Sequence, residues 1–394
     1  MRNTIFFISL LLLIGSCGNR KTTNQEDKSS IYNIVLSDAL KSKQQFKLSD
    51  IAESFEYVEL KTPPGMVIMA VHIAVSKEYI FVTCKGEVYQ FSMSGDFIRP
   101  VGRIGRGPGE YLSAMDVVVD EKNRRVSIMS YPAIYHYSFD GSFLGSVEMS
   151  TYDDLLIVSD SLIYASSVPF GYQTYKLLSL DSNKDTLGGI PNHNLFNTNG
   201  YTVMLSQQFR EPFYKHNNQV YFKGYQDNDT IWRMDGSDYA THAVIDMGRY
   251  KYPEPTDVGG MENWHRDFIA KTGDFYQVNK AQEDDDYIYL TCEPYYNPKM
   301  GSPRVMFDKA TGVGFSAVTA SGEAGIEDDM LRGPAFWPEI ITEDRYISVV
   351  EAYKLLEATE DATDLAPEFK TFIDGINENT NTIVAIAKRG KINQ

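Results

Sequence analysis

β-Branched and aromatic residues fall in short runs along this chain, separated at a near-constant interval by turn-forming residues. The run Tyr79-Ile80-Phe81-Val82-Thr83-Cys84 reappears as Tyr287-Ile288-Tyr289-Leu290-Thr291-Cys292. Similar runs occupy Arg125–Ser130, Ser161–Ser166, Gln219–Gly224 and Arg345–Val350. Their richness in Val, Ile, Tyr and Phe, and the Asn, Asp or Glu residues ahead of most of them, predict strands entered from turns. A second phrase follows each run and ends in a turn: Met93-Ser94-Gly95, Phe139-Asp140-Gly141, Leu180-Asp181-Ser182, Met234-Asp235-Gly236, Phe307-Asp308-Lys309 and Ala387-Lys388-Arg389-Gly390. Asp-Gly and related pairs supply the positive φ angles that tight hairpins need. Gly95 and Gly141 stand 46 residues apart, a spacing of one four-stranded unit.

Both markers count to six, and a repeat of this length in an all-β chain predicts a six-bladed β-propeller. After Gly390 only residues 391–394 remain, so the sixth blade lacks its outermost strand. Upstream of the first blade a spare strand, Phe55-Glu56-Tyr57-Val58-Glu59-Leu60, alternates apolar and polar positions. The economical arrangement is closure of the ring by this N-terminal strand, which also protects edges that would otherwise invite aggregation. Two sandwiches side by side are the alternative architecture.

Residues 1–16 stand apart from the pattern. Arg2 precedes the apolar run Ile5–Ile14, which is too short to span a bilayer as a mature helix and reads as a signal peptide. It ends in Leu13-Ile14-Gly15-Ser16-Cys17, which resembles the lipobox of bacterial lipoproteins and implies lipidation at Cys17. Residues 17–30 are polar throughout and read as a tether, leaving residues 31–394 for the propeller. The formal charge of −16 becomes −17 once Arg2 is removed, which argues against nucleic acid and against anionic lipid as partners. Contact with the membrane is then expected through the lipid anchor alone. Cys84 and Cys292 remain in the mature chain, on the first and fifth blades, which are not neighbours, so two buried free thiols are expected.

Gly102-Arg103-Ile104-Gly105-Arg106-Gly107-Pro108-Gly109-Glu110-Tyr111, the lipobox, and Leu48-Ser49-Asp50-Ile51 with Tyr57-Val58-Glu59-Leu60 together resemble the six-bladed β-propeller lipoproteins abundant in Bacteroidota. The resemblance spans the mature chain. It implies the fold and a cell-envelope location, with the outer membrane expected and its side open, and it carries over no catalytic residues.

Propeller connectivity sends the crossings between blades and the second hairpin of each blade to one face. The tight Asp-Gly turns go to the other. Nearly all the excess length therefore lands on one face, where binding on a rigid scaffold is expected, with short helical insertions. Candidate ligand-binding residues there are Arg103 and Arg106 in the Gly-rich loop, Trp264, His265 and Arg266 on a short amphipathic helix, Tyr295 and Tyr296, and Trp337. The two arginines suit a carboxylate or uronic acid, and the aromatics suit sugars or peptides. The Gly-rich loop lacks the Lys-Ser/Thr ending of a phosphate cradle, and Pro108 removes one amide. It also reads as a glycine-dependent crossing with Glu110 and Tyr111 pinned to neighbouring backbone. The insertion Leu355–Thr380 reads as a docked helix, with Leu365, Phe369, Phe372 and Ile373 at helical spacing.

No histidine pair has metal-ligand spacing and no Gly-x-Ser-x-Gly elbow is present, so neither a metal nor a cofactor is called. The acidic runs Glu283-Asp284-Asp285-Asp286 and Glu327-Asp328-Asp329 read as solvated turns. The expectation is a lipid-anchored binding module for a glycan, peptide or envelope protein. Its rival is a hydrolase or lyase on sugars or lactones, built from single residues of separate blades at the central tunnel. Three or more polar side chains converging there would favour the rival.

Overall fold

The computed structural model describes residues 31–70, 72–148, 154–159, 161–166, 174–193, 195, 211–224, 229–251, 274–294 and 297–390. Their strands form six sheets. Five blades run in chain order over residues 72–100, 116–148, 154–191, 213–246 and 276–318, each with four antiparallel strands. The sixth joins Ile340–Ile341, Arg345–Val350 and Ile383–Arg389 to Ala52–Glu59, the N-terminal strand. The register from Ile383↔Glu59 to Arg389↔Ala52 closes the ring as the missing strand requires.

The near-continuous apolar character of the second strands follows from where they lie. Ile80, Val82 and Cys84 turn toward blade six, packing with Val58, Ile347 and Val384. Phe81 turns the other way, toward Val117, Ile128 and Tyr137 of blade two. A strand buried on both faces cannot alternate with polar residues. Each interface between neighbouring blades has its own core cluster, so the ring holds six cores and no single centre. Cys84 and Cys292 are buried and unbridged.

Residues before the closing strand form a strap that the repeat does not announce. Tyr32–Val35 adds in parallel to the outer strand of blade four, and Lys43–Gln45 adds in parallel to that of blade five. Between them a single helical turn, Leu36–Ala39, buries Leu36 and Ala39 in the core between those blades. The chain thus runs along two consecutive outer edges before pairing into blade six. Gly95 secures the far side: its φ is +81°, and a Cβ there would lie 2.0 Å from the Glu59 carbonyl oxygen.

The acidic runs correct the sequence reading. Glu283 and Asp284 are only 2% and 1% exposed. Asp284 accepts hydrogen bonds from the Tyr289 and Tyr346 hydroxyls (2.6 and 2.7 Å) and from the backbone N–H groups of Asp286 and Tyr287 (2.8 and 2.7 Å). Glu283 accepts from Tyr214 and His242, both at 2.9 Å, and pairs with Lys309. Burial alone would raise the Glu283 pKa, but the His242 hydrogen bond and the Lys309 ammonium outweigh it and hold it below the usual glutamate value. Asp328 is likewise buried, receiving Tyr57 Oη and three backbone N–H groups, while Asp329 binds Ser49 on the strap. These carboxylates tie blades together; Asp285 is the solvated member of its run.

The insertion contains two helices, Ala352–Thr359 and Pro367–Gly375, where one was expected. Phe369 enters the core and stacks on Tyr57 with ring centroids 5.5 Å apart.

Candidate functional site

The innermost strands of the blades share one register position next to the long-loop face. His72, Asp116, Asp154 and Lys280 each pair with the fifth residue of the strand that follows: Thr83, Met129, Ser166 and Thr291. Glu211 and Glu339 lie just ahead of the innermost strands of blades four and six. Positions that could have held apolar stoppers instead hold ionisable residues in four blades.

The described side chains meet across the ring. His72 Nδ1 lies 4.0 Å from Asp116 Oδ1, joining blades one and two. Lys280 of blade five forms an ion pair with Glu211 at the start of blade four. Asp116 feels both Glu211 and Lys280. Blades two and five stand opposite each other in a six-membered ring, so this coupling runs through the axis. Glu339 brings in blade six through Lys280 and Glu211.

Enclosure governs the charges. Burial, reinforced by Glu211, pushes the Asp116 carboxyl up to about 7, against the opposing effects of the Val117 N–H and Lys280. Burial also raises the Glu339 carboxyl, and Lys280 only partly offsets it. Burial lowers the His72 imidazole, opposed by Glu211 and aided by Lys280. Three carboxylates thus crowd one lysine and a histidine held toward its neutral form.

One further polar group stands next to Lys280 in the inner strand of blade five. Val278 pairs with Cys292 and Lys280 with Thr291, leaving Asn279 as the extra residue of a β-bulge. A bulge re-aims side chains and is common beside functional sites. The Asn279 side chain is 8% exposed, and its Oδ1 has no hydrogen-bond partner among the described residues. No three His, Cys, Asp or Glu side chains among the described residues are arranged to hold a metal ion.

Comparison with known proteins places the chain. Residues 31–388 match a family defined as a domain of unknown function, DUF4934. The chain belongs to this family. Among solved structures, it is similar to a candidate exported protein of Bacteroides fragilis, at 16% identity and a TM-score of 0.69, covering 92% of this chain and 100% of that one. A DUF4221 member from Bacteroides vulgatus aligns at 11% identity and a TM-score of 0.41, covering 69% of this chain and 84% of that one. No curated protein matches. The family match and the fold shared with the Bacteroides fragilis protein fit the propeller group that the sequence resembles.

In this DUF4934 member the candidate residues read from sequence are scattered. The Gly-rich loop makes the crossing from blade one to blade two. Its Arg103 guanidinium is held by Glu110 at 2.5 Å, and Glu110 also accepts the Gly107 N–H at 2.7 Å. The Tyr111 hydroxyl bridges Val88 N–H and Val101 C=O, both at 3.1 Å. A Cβ on Gly105 would lie 2.0 Å from Glu110 Oε2, so the glycine makes room for that carboxylate. The loop packs on Tyr137 and Phe143, in the two outer strands of blade two, which places Arg103 away from the axis. Arg106 is exposed on the same loop. Trp337 is a core residue: it is buried against Tyr289, and its indole N–H donates to Thr291 Oγ1 at 2.9 Å. Cys17, Trp264, His265, Arg266, Tyr295 and Tyr296 lie outside the described residues. His72, Asp116, Glu211, Lys280 and Glu339 were missed because they lie in short inner strands without an apolar signature. Aligning the blades on the fifth residue of each second strand would have exposed three of them, together with Asp154.

Proposed function

We propose that this chain is a cell-envelope binding module that receives its ligand at the ring axis on the long-loop face. The carrying observation is the meeting of His72, Asp116, Glu211, Lys280 and Glu339, side chains contributed by five blades. Crowding three partly enclosed carboxylates around one lysine costs stability, and such costs are retained where a ligand repays them. The ligand class remains that of the sequence reading: a glycan, a peptide or an envelope protein. Lipidation at Cys17 would tether the propeller to the outer membrane, and the name of the Bacteroides fragilis relative agrees with export.

A specific observation favours a second reading, a hydrolase or lyase. The His72–Asp116 pair, in which burial pushes the Asp116 carboxyl up to about 7 beside an imidazole, is the kind of arrangement that general acid–base chemistry uses. One screen separates the two. Thermal shifts of the full chain against oligosaccharides, uronic acids and peptides should reveal a stabilising ligand, about 2.7 kcal/mol at a hundred times its Kd. The shift should vanish in Lys280→Met. If the ligand is recovered unchanged after prolonged incubation, the module reading stands; if it is cleaved by the wild type and not by Asp116→Asn, the enzyme reading replaces it. A ligand whose shift survives Lys280→Met places the site elsewhere.

A further inference from the structure

Resting on the axial reading above, we infer that the mouth receives a cationic peptide segment: an ammonium or guanidinium group held by Asp116, Glu211 and Glu339, flanked by apolar side chains laid on Val67, Met69, Leu112 and Tyr131.

Charge complementarity argues for the cation. The three carboxylates face Lys280 as the cation paired within the cluster. The other cations that act on Glu339, Arg304 and Lys354, are engaged with Glu293 and Glu351. Among the described residues the three carboxylates outnumber the one lysine paired with them, the buried Lys223 ammonium being engaged by the Gly224 and Val278 carbonyls, in a chain whose formal charge is −16. Burial first, and Glu211 after it, raise the carboxyls of Asp116 and Glu339. Asn279 supplies an independent pointer: among the described residues its buried Oδ1 is an acceptor without a donor, and it is the chain neighbour of Lys280. A buried acceptor left unpaired costs about 1–3 kcal/mol, so a donor is wanted there. Acceptors in excess select a donor-rich, positively charged partner.

The apolar rim argues for a peptide over a free amine. Met69 is 70% exposed and stands three residues before His72; Leu112 stands four residues before Asp116. Three or four extended residues span at most about 14 Å, so both residues lie within that distance of the inner-strand positions His72 and Asp116. Val67 lies against Cys84 at the end of blade one's second strand, where its C=O accepts from the thiol. The Leu112 N–H donates to Ser130 Oγ, which places Leu112 beside Tyr131, 63% exposed at the next hairpin. These residues form a strip over blades one and two, on the same face as the charged mouth. A sugar needs no such strip of aliphatic side chains, whereas a peptide with a basic residue between apolar ones fits both parts.

The test is calorimetric titration of the full chain with three capped peptides, acetyl-Leu-Lys-Leu-amide and its Gln and Glu counterparts, and with cellotetraose and glucuronate. The Lys peptide should bind at least about tenfold tighter than the Gln peptide, and the Glu peptide weakest. Glu339→Gln and Asp116→Asn should each erase most of that preference while leaving the Gln peptide's affinity unchanged. Met69→Ser with Tyr131→Ser should weaken the Lys and Gln peptides alike. Cooperative melting of each variant excludes misfolding as the cause. Equal or tighter binding of the Gln or Glu peptide, or binding of cellotetraose or glucuronate alone with sensitivity to Lys280→Met, overturns the cationic-peptide inference and leaves the axial site standing. No binding by any probe overturns both.

Discussion

Asp284→Ala removes a carboxylate that the repeat pattern places in a solvated turn and the fold buries between blades five and six. Its two oxygens receive four donors, the Tyr289 and Tyr346 hydroxyls and the N–H groups of Asp286 and Tyr287, all within 2.8 Å. Hydrogen bonds to a charged acceptor contribute about 1.5–3 kcal/mol each. Their bare sum would rival the whole stability of a domain, about 5–15 kcal/mol. Groups in one network are not additive, and water can enter the space the carboxylate leaves. We therefore expect a loss of about 4 kcal/mol. Asp284→Asn keeps the shape and one acceptor oxygen and should lose about half as much. The control is Asp285→Ala. That side chain is 63% exposed, and its ion pair with Arg389 at 3.1 Å should contribute no more than about 1 kcal/mol. Urea unfolding measures all three, with stability read from the midpoint at constant slope. Trp337, whose ring centroid lies 5.6 Å from that of Tyr289, supplies a fluorescence signal from the same interface. If Asp284→Ala unfolds within about 1 kcal/mol of Asp285→Ala, the carboxylate does not hold the blades together and the argument from burial fails.

Three other outcomes are expected. Asp116 has a folded-state pKa near 7, above its unfolded value, so protonation favours the folded state; its penalty is absent below pH about 4 and complete above pH about 7. Asp116→Asn should therefore stabilise the chain at pH 8, with the gain disappearing as the pH falls to 4; a constant offset across that range in thermal melts would contradict the assignment. Gly95→Ala should cost several kcal/mol, about 3 or more, because φ of +81° and the 2.0 Å approach to the Glu59 carbonyl both penalise a Cβ; a midpoint change under about 1 kcal/mol would show that the turn relaxes freely. A chain starting at residue 61 should unfold without cooperativity, since it opens the ring and exposes the edge of Ile383–Arg389; a sharp, wild-type-like transition would mean that five complete blades suffice.

The architecture was legible from short-range pattern. Strand runs such as Tyr79–Cys84 carry their apolar signature because both faces are buried, and turns such as Ser94-Gly95 carry theirs because the backbone there demands it. Counting six of each, and noticing a missing outer strand at one end and a spare at the other, is enough to close a ring. Local physics repeated at a fixed period needs no knowledge of distant contacts. The strap of residues 32–45, the burial of Glu283, Asp284 and Asp328, and the axial cluster were decided by tertiary structure alone. Asp284 looks like a turn residue until Tyr346, 62 positions away, donates to it. His72, Asp116, Glu211, Lys280 and Glu339 are strewn over most of the chain and become neighbours only because ring closure brings every inner strand to one axis. Charge at that axis leaves only a faint periodic trace, one ionisable residue at a shared inner-strand position in four blades, and the energy lies in the meeting of the side chains.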